Sequence, residues 1–563
     1  MPIFVTRAAA VILTSAAPAA AIALPMTTAS HDYVLGRFAD ADNRSADAAR
    51  YYGAAMKGDP GDPILQRRAF DTALIAGDDR LVTTLARDLE TGGQGDAATA
   101  PVRLADALRR RDWSAVDALK GLPDTGYAAV VAPVVGAWVR LGRGDVAAAL
   151  ALVDPAQFTG VARSYITEHR AMILAAAKRP GEAAPLFVAM VNGEAGGVDR
   201  LRIAAASALV AARKPDEARA LLANTAPNSV VGAAAKRLAS GQRLDPGATE
   251  PRVGVAYLAA RIAGDLSRER PVPLAVAFAR AATLLAPEVG ETWLIAGDVL
   301  ARSGHAEAAL AAYARITPRD DLAAVATRHR GLALAGLGRD VEARAILEAA
   351  AAGSQATADD WQRLGDLERK LARHGAAAAD YSRAIALAGA NAGWTLYFYR
   401  GSASEQAGDW VRGEADLRTA LKIVPDEPTV LNYLGYAMLD RGQMLPEATA
   451  LIARAAALRP DDGFIADSLG WAYFRAGDDA RAVPALEVAA RLEPGDATIN
   501  EHLGDAYWRA GRRLEARFRW RAAANLSPEP PQAALLARKL DFGLDVALAQ
   551  GAALPAIPED APR

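Results

Sequence analysis

Apolar and small residues recur along this chain at helical spacing. Trp293, Ala296, Gly297 and Leu300 fall at i, i+3, i+4 and i+7, one face of a helix. After the polar turn Arg302, Ser303, Gly304 and His305, Ala309 and Tyr313 lie four apart on a second helix. The same two patterns return at Trp361, Leu364 and Gly365 with Ala377, Tyr381 and Ala384. They return at Leu469, Gly470 and Tyr473 with Ala482, Leu486 and Ala489, and at Leu503, Gly504 and Tyr507 with Ala516, Trp520 and Ala523. The turns at 337–340 and 476–479 repeat the make-up of the first. The glycine in each suits a left-handed C-cap, and the acidic residue after it suits the next N-cap. Pro425, Pro460, Pro494 and Pro528 each follow a second helix, where proline stops it. The pattern predicts paired α-helices, with small residues at the crossings and a large ring beside them.

The pairs come at a fixed period. Gly297, Gly331 and Gly365 are 34 residues apart, and Gly401, Gly435, Gly470 and Gly504 follow at intervals of 36, 34, 35 and 34. A period of that length marks an array. One unit cannot bury its own apolar face, so units stack into a solenoid in which each touches its neighbours. Backward along the chain the pattern fades but persists. Gly36, Ala48, Tyr52, Ala55 and Pro60 form a first repeat, and Phe70, Ala105, Gly136, Ala171 and Ala206 keep the rhythm. From Ala206 to Ala263 the interval is 57, which requires one extra helix near 229–238. In total the chain holds about 14 repeat-like units, with the strong matches from Glu291 onward.

These residues resemble the tetratricopeptide repeat, whose pattern is W-x2-L-G-x2-Y, then A-x3-F, then A and P. The resemblance implies an all-α, right-handed superhelical solenoid of helix–turn–helix repeats. It divides the chain into degenerate repeats over 24–250, a well-matched array over 251–530, and a capping helix with a proline-bearing, disordered tail over 531–563. It also implies that the first helix of each unit lines a concave groove. On that register Phe398, Asn432, Tyr436, Asp467, Trp471, Phe474, Glu501, Asp505 and Trp508 face the groove, with Arg475 and Arg509 next to the stripe. The polar members would orient an extended peptide, and the rings would anchor it. The alternative is that Tyr436, Trp471 and Trp508 pack between adjacent first helices as core. The peptide-clamp subgroup of the family places Lys with Asn or Arg on successive units. Here Asn432 is followed by Asp467 and Glu501, which speaks against a clamp for a C-terminal carboxylate.

Composition narrows the chemistry. The chain is 52% hydrophobic and Ala-rich, which favours helix. It has no cysteine, so disulfides, thiolate metal sites and cysteine nucleophiles are excluded. A net charge of −2 without a basic run lacks the footprint of nucleic-acid binding. No phosphate-cradling, zinc-protease or nucleophile-elbow motif is present, and no two of the six histidines share a helical face. Glu501, His502 and Asp505 cluster, but they supply too few ligands for a metal and read as a solvated or groove-facing patch. Arg517, Arg519 and Arg521 read as outer surface, with Trp520 as core. No catalytic residue, metal or cofactor is expected.

The first residues read as an export signal. Arg7 precedes the apolar stretch 8–13, Pro18 breaks it, and Ala21, Ile22 and Ala23 fit a cleavage site, giving a signal peptide over 1–23. The apolar run is short of the ~20 residues of a membrane span. The expected location is the periplasm, with peripheral membrane association through a partner. The alternative is an Ala-rich leader on a cytoplasmic protein. Together these features predict a non-enzymatic scaffold that binds a protein or peptide in its groove. A factor for envelope secretion or polysaccharide export is the alternative, and a carbohydrate binder or enzyme ranks below it.

Overall fold

The computed structural model describes residues 28–118, 127–193, 199–223, 225, 229–269, 273–318, 320–353 and 356–549. The leader 1–23 and the tail from 550 lie outside the described residues. Among those described there is no strand. Fourteen consecutive helix pairs run from Thr28–Ala41 with Ser45–Ala55 to Ala497–Arg509 with Arg513–Asn525. A lone helix, Val230–Ala239, falls between the sixth and seventh pairs, where the long interval requires it. Helix Pro530–Phe542 and the short Leu544–Ala549 follow the last pair.

The turn at 476–479 works as its composition predicts, and the other two depart from it. Gly477 is left-handed at φ 79°, and the Asp478 N–H donates back to the Tyr473 carbonyl at 2.9 Å. Asp478 then caps the next helix, accepting from the Arg481 N–H at 3.1 Å. Gly304 turns the same way, but the cap position there is His305, whose side chain makes no capping bond. In the 337–340 turn the acidic residue, Asp340, sits one place inside the helix, where it meets the dipole instead.

The periodic glycines are fixed by the crossing inside each pair. A Cβ on Gly297 would lie 2.2 Å from the Tyr313 ring, and one on Gly470 2.5 Å from Leu486. On Gly504 it would lie 2.4 Å from the Trp520 ring. In each case the partner is sixteen residues on. Gly435 meets Ile452, seventeen on, because the turn before Leu445 carries an extra residue, Met444, at φ 47°. The irregular 35-residue gap after Gly435 is that one residue.

The described chain forms two compact units, Met1–Ile346 and Leu347–Arg563. In the second, hairpins pack on their sequence neighbours. In the first, the expectation that each repeat touches only its neighbours fails. Helix Pro273–Leu285 is buried at every position from Ala275 to Leu285, Arg280 and Thr283 included, so it needs cover on every side. Its hairpin therefore packs against distant helices. The Arg280 guanidinium donates to the Leu74 carbonyl at 2.9 Å, and a Cβ on Gly254 would lie 2.1 Å from Trp138. Asn43, in the first turn of the unit, meets the His305 ring at 2.8 Å. The unit closes on itself. The polar stretch 239–247 lies inside it.

Candidate functional site

Within the second unit a cavity of roughly 620 Å³ opens along the first helices Trp394–Gln406, Pro428–Asp440, Gly463–Arg475 and Ala497–Arg509 and the start of helix Pro530–Phe542. Phe398, Tyr433, Tyr436, Phe464 and Ile499 supply its apolar lining. Its charged lining comes from Glu405, Arg459, Asp462, Asp467, Asp496 and Glu529, and Asn432, Thr429, Ser468, Thr498, Ser527 and Gln532 add neutral polar groups.

The repeat itself places the acids. Asp462 caps its helix by accepting from the N–H groups of Phe464 and Ile465, both at 3.1 Å. Asp496 caps the next by accepting from the Ile499 N–H at 2.9 Å. Glu529 holds the N-cap position of the following helix without a side-chain capping bond. Caps one repeat apart come to the same side of the stack. Three other charges at the cavity have partners. Glu405 accepts from the Tyr433 hydroxyl at 2.8 Å and from Arg441 at 2.6 Å. Arg459 lies 3.6 Å from Glu427, and Asp467 lies 2.9 Å from the His502 ring. The Asn432 Oδ1 is buried and accepts no hydrogen bond.

Of the residues expected to face the groove, Phe398, Asn432, Tyr436 and Asp467 line this cavity. The others lie elsewhere. Trp471 is 2% exposed and stacks on Phe474 at 4.8 Å and on His502 at 3.9 Å. Phe474 is buried beneath the Arg509 guanidinium, 3.6 Å from its ring, and Arg509 is tied to Asp479. Arg475 is half-buried outside the cavity lining. Trp508 donates to Asp545 at 2.9 Å, under Arg513. Trp471 thus packs against the next first helix, Trp508 lies against Trp520 and Asp545 instead, and Tyr436 lines the cavity.

Glu501 and Asp505 are fully buried. Lys539, from helix Pro530–Phe542, donates to Glu501 at 2.5 Å and to Asp505 at 2.7 Å. Asp505 also accepts from the Trp520 indole N–H at 2.8 Å. The cluster with His502 is thus corrected from a solvated patch to an interior ion network. No group of acids and histidines among the described residues is arranged to hold a metal. Burial pulls the Lys539 ammonium toward neutrality, but the two carboxylates outweigh it and hold its pKa above the usual lysine value. Burial raises Asp505, with Glu501 adding to the effect and Lys539 opposing it.

Sequence reasoning missed Lys539, Phe464 and the capping acids. Lys539 stands among Leu535, Leu536 and Leu540 at helical spacing, so a lysine on an apolar face was there to be noticed. On the outer side, Arg517 and Arg521 are exposed beside Leu514 and Phe518, while Arg519 reaches Asn500 at 3.1 Å and Trp520 is core.

Stacked helical hairpins, several of them crossed at a glycine, give this chain the all-α solenoid fold of tetratricopeptide repeats. Over 87 residues, 16% of its length, it is 40% identical to a TPR repeat-containing protein of Pseudomonas aeruginosa, and it spans 15% of that relative's length. No family model matches the chain. Among solved structures it is similar to the APC/C hetero-tetramer Cut9-Hcn1, at 14% identity and TM-score 0.38, covering 92% of this chain and 97% of that one. It is also similar to a tetratricopeptide repeat protein from Parabacteroides merdae, at 16% identity and TM-score 0.37, covering 45% and 98%. Among the described residues no helix is long and apolar enough to cross a membrane.

Proposed function

We propose that the chain is a non-enzymatic scaffold that holds an extended segment of a partner protein in the groove of its second unit. One observation carries this reading. A buried acceptor, the Asn432 Oδ1, stands without a donor in a cavity lined by rings. A buried polar group without a partner costs about 1–3 kcal/mol. A peptide N–H entering the cavity relieves that cost, and Phe398, Tyr436 and Phe464 offer the apolar contacts that carry binding energy.

Photo-crosslinking in cells from a probe at Thr429 should capture one dominant protein. Asn432→Ala and Phe464→Ala should each abolish that capture while helix content stays the same. Capture that survives both substitutions rules the groove out. The envelope location rests on the leader residues. Recovery of cytosolic protein that still carries residues 1–23 would overturn it.

A further inference from the structure

The donor and acceptor balance of the groove narrows its ligand. Among the described residues no cation pairs with Asp462, Asp496 or Glu529. Arg459, the positive side chain at the cavity, is already engaged with Glu427. The helix starts behind the three acids offset about half a charge each, so net negative charge remains. Asn432 adds a further acceptor with no donor. The Gln532 amide donates instead to Glu501 at 2.8 Å and to Thr498 at 3.2 Å. The cavity also presents hydroxyls from Thr429, Tyr436 and Ser527, but the charge left over at the site is negative. Acidic segments would meet repulsion there, and neutral ones would leave the carboxylates unanswered.

We propose that the groove selects a cationic segment, in which Lys or Arg residues alternate with large apolar ones. The inference rests on the groove reading above. Lysine and arginine carry donors and no acceptors, which matches this lining. Their methylene stems can lie along Tyr436 and Phe464 while the charged heads reach Asp462, Asp496 and Glu529. The preference is opposite in sign to that of a groove gripping a carboxylate.

The test uses the full chain and three fluorescein-labelled decapeptide pools of equal apolar content, carrying Lys/Arg, Glu/Asp or Ser/Asn at alternate positions. Fluorescence anisotropy should show the cationic pool binding about tenfold more tightly than the neutral pool at low salt, with the difference shrinking as screening rises. The triple variant Asp462→Asn, Asp496→Asn, Glu529→Gln should abolish the preference. Asparagine still caps a helix, so the fold is kept. Phe464→Ala should weaken every pool that binds. Equal binding of all pools, still sensitive to Phe464→Ala, would overturn the charge preference and leave the groove reading standing. Binding insensitive to Phe464→Ala, or no binding by any pool, would overturn both.

Discussion

In the hairpins that carry a crossing glycine one contact recurs, and its chemistry varies with the partner side chain. Where the residue sixteen after the glycine is Tyr or Trp, the residue just after the glycine is an aspartate that accepts its hydrogen. Asp298 takes the Tyr313 hydroxyl at 2.8 Å, Asp366 the Tyr381 hydroxyl at 2.7 Å, and Asp505 the Trp520 N–H at 2.8 Å. Where that partner is Leu417 or Leu486 there is no polar tip to satisfy, and Ser402 or Trp471 follows the glycine instead. The first hairpin breaks the rule. Arg37 follows Gly36, and the Tyr52 hydroxyl is buried without a partner. Two substitutions of the same chemistry should therefore differ. Tyr381→Phe loses a bond to a carboxylate and should cost about 1.5–3 kcal/mol, whereas Tyr52→Phe removes only an unsatisfied group and should cost nothing or stabilise. Hydrogen exchange of the hairpin concerned would read each effect, and equal losses would refute the distinction.

Helix Pro530–Phe542 covers the last repeat through a single buried cation. Lys539 has no exposed surface, and Leu536 joins the core beside it. Lys539→Met should destabilise the second unit by about 3–5 kcal/mol, because Glu501 and Asp505 stay buried without their counter-charge. Adding Glu501→Gln and Asp505→Asn should recover most of that loss in urea unfolding, since both amides can still accept from Gln532 and Trp520. No recovery would show that the lysine acts through packing alone. This helix also explains which parts of the site could be read from the chain. The 34-residue period, the turn glycines and the small residues are local, and they predicted the hairpins down to the lone helix near 230. Which side of a first helix stays open is not local. Glu501 and Asp505 have the spacing of groove residues, but a lysine 38 and 34 residues later, respectively, buries them. Trp471 is closed off by His502 of the next repeat. Phe398, Asn432, Tyr436 and Asp467 line one cavity, although later residues pack on two of them, Tyr433 on Phe398 and His502 on Asp467.

The two units answer acid in opposite senses, because each buries a histidine in a different setting. In the first unit, His169 is held down to about 4, mainly by burial. Its Nδ1 accepts the Trp138 indole N–H at 3.1 Å, a bond that the imidazolium could not keep. The unfolded chain takes up a proton near pH 6.5 that the folded unit refuses, so stability falls as pH drops from there toward 4. Between pH 7.5 and 5.5 the loss is roughly 1.4 kcal/mol. Glu168, set between Arg200 and Arg261, stays ionised throughout, because those two arginines outweigh burial and keep it near 2. In the second unit, burial opposes the charge on His502, but Asp467, with Glu501 and Asp505, outweighs it and raises its pKa. The stabilisation it provides is complete below pH 6.5 and is lost as pH rises through the folded value. Acidification from 7.5 to 5.5 should therefore weaken protection across the first unit and strengthen it around 463–509. Hydrogen exchange corrected for intrinsic rates would separate the two. The first unit is closed by contacts between distant hairpins, so its loss should spread over the whole unit, while the gain in the second stays with the neighbours of His502. His169→Gln should reduce the first response, leaving the part that comes from His305, whose pKa burial also lowers, and should leave the second intact. If both units move together, or if the variant changes nothing, then the opposed histidines do not govern the acid response.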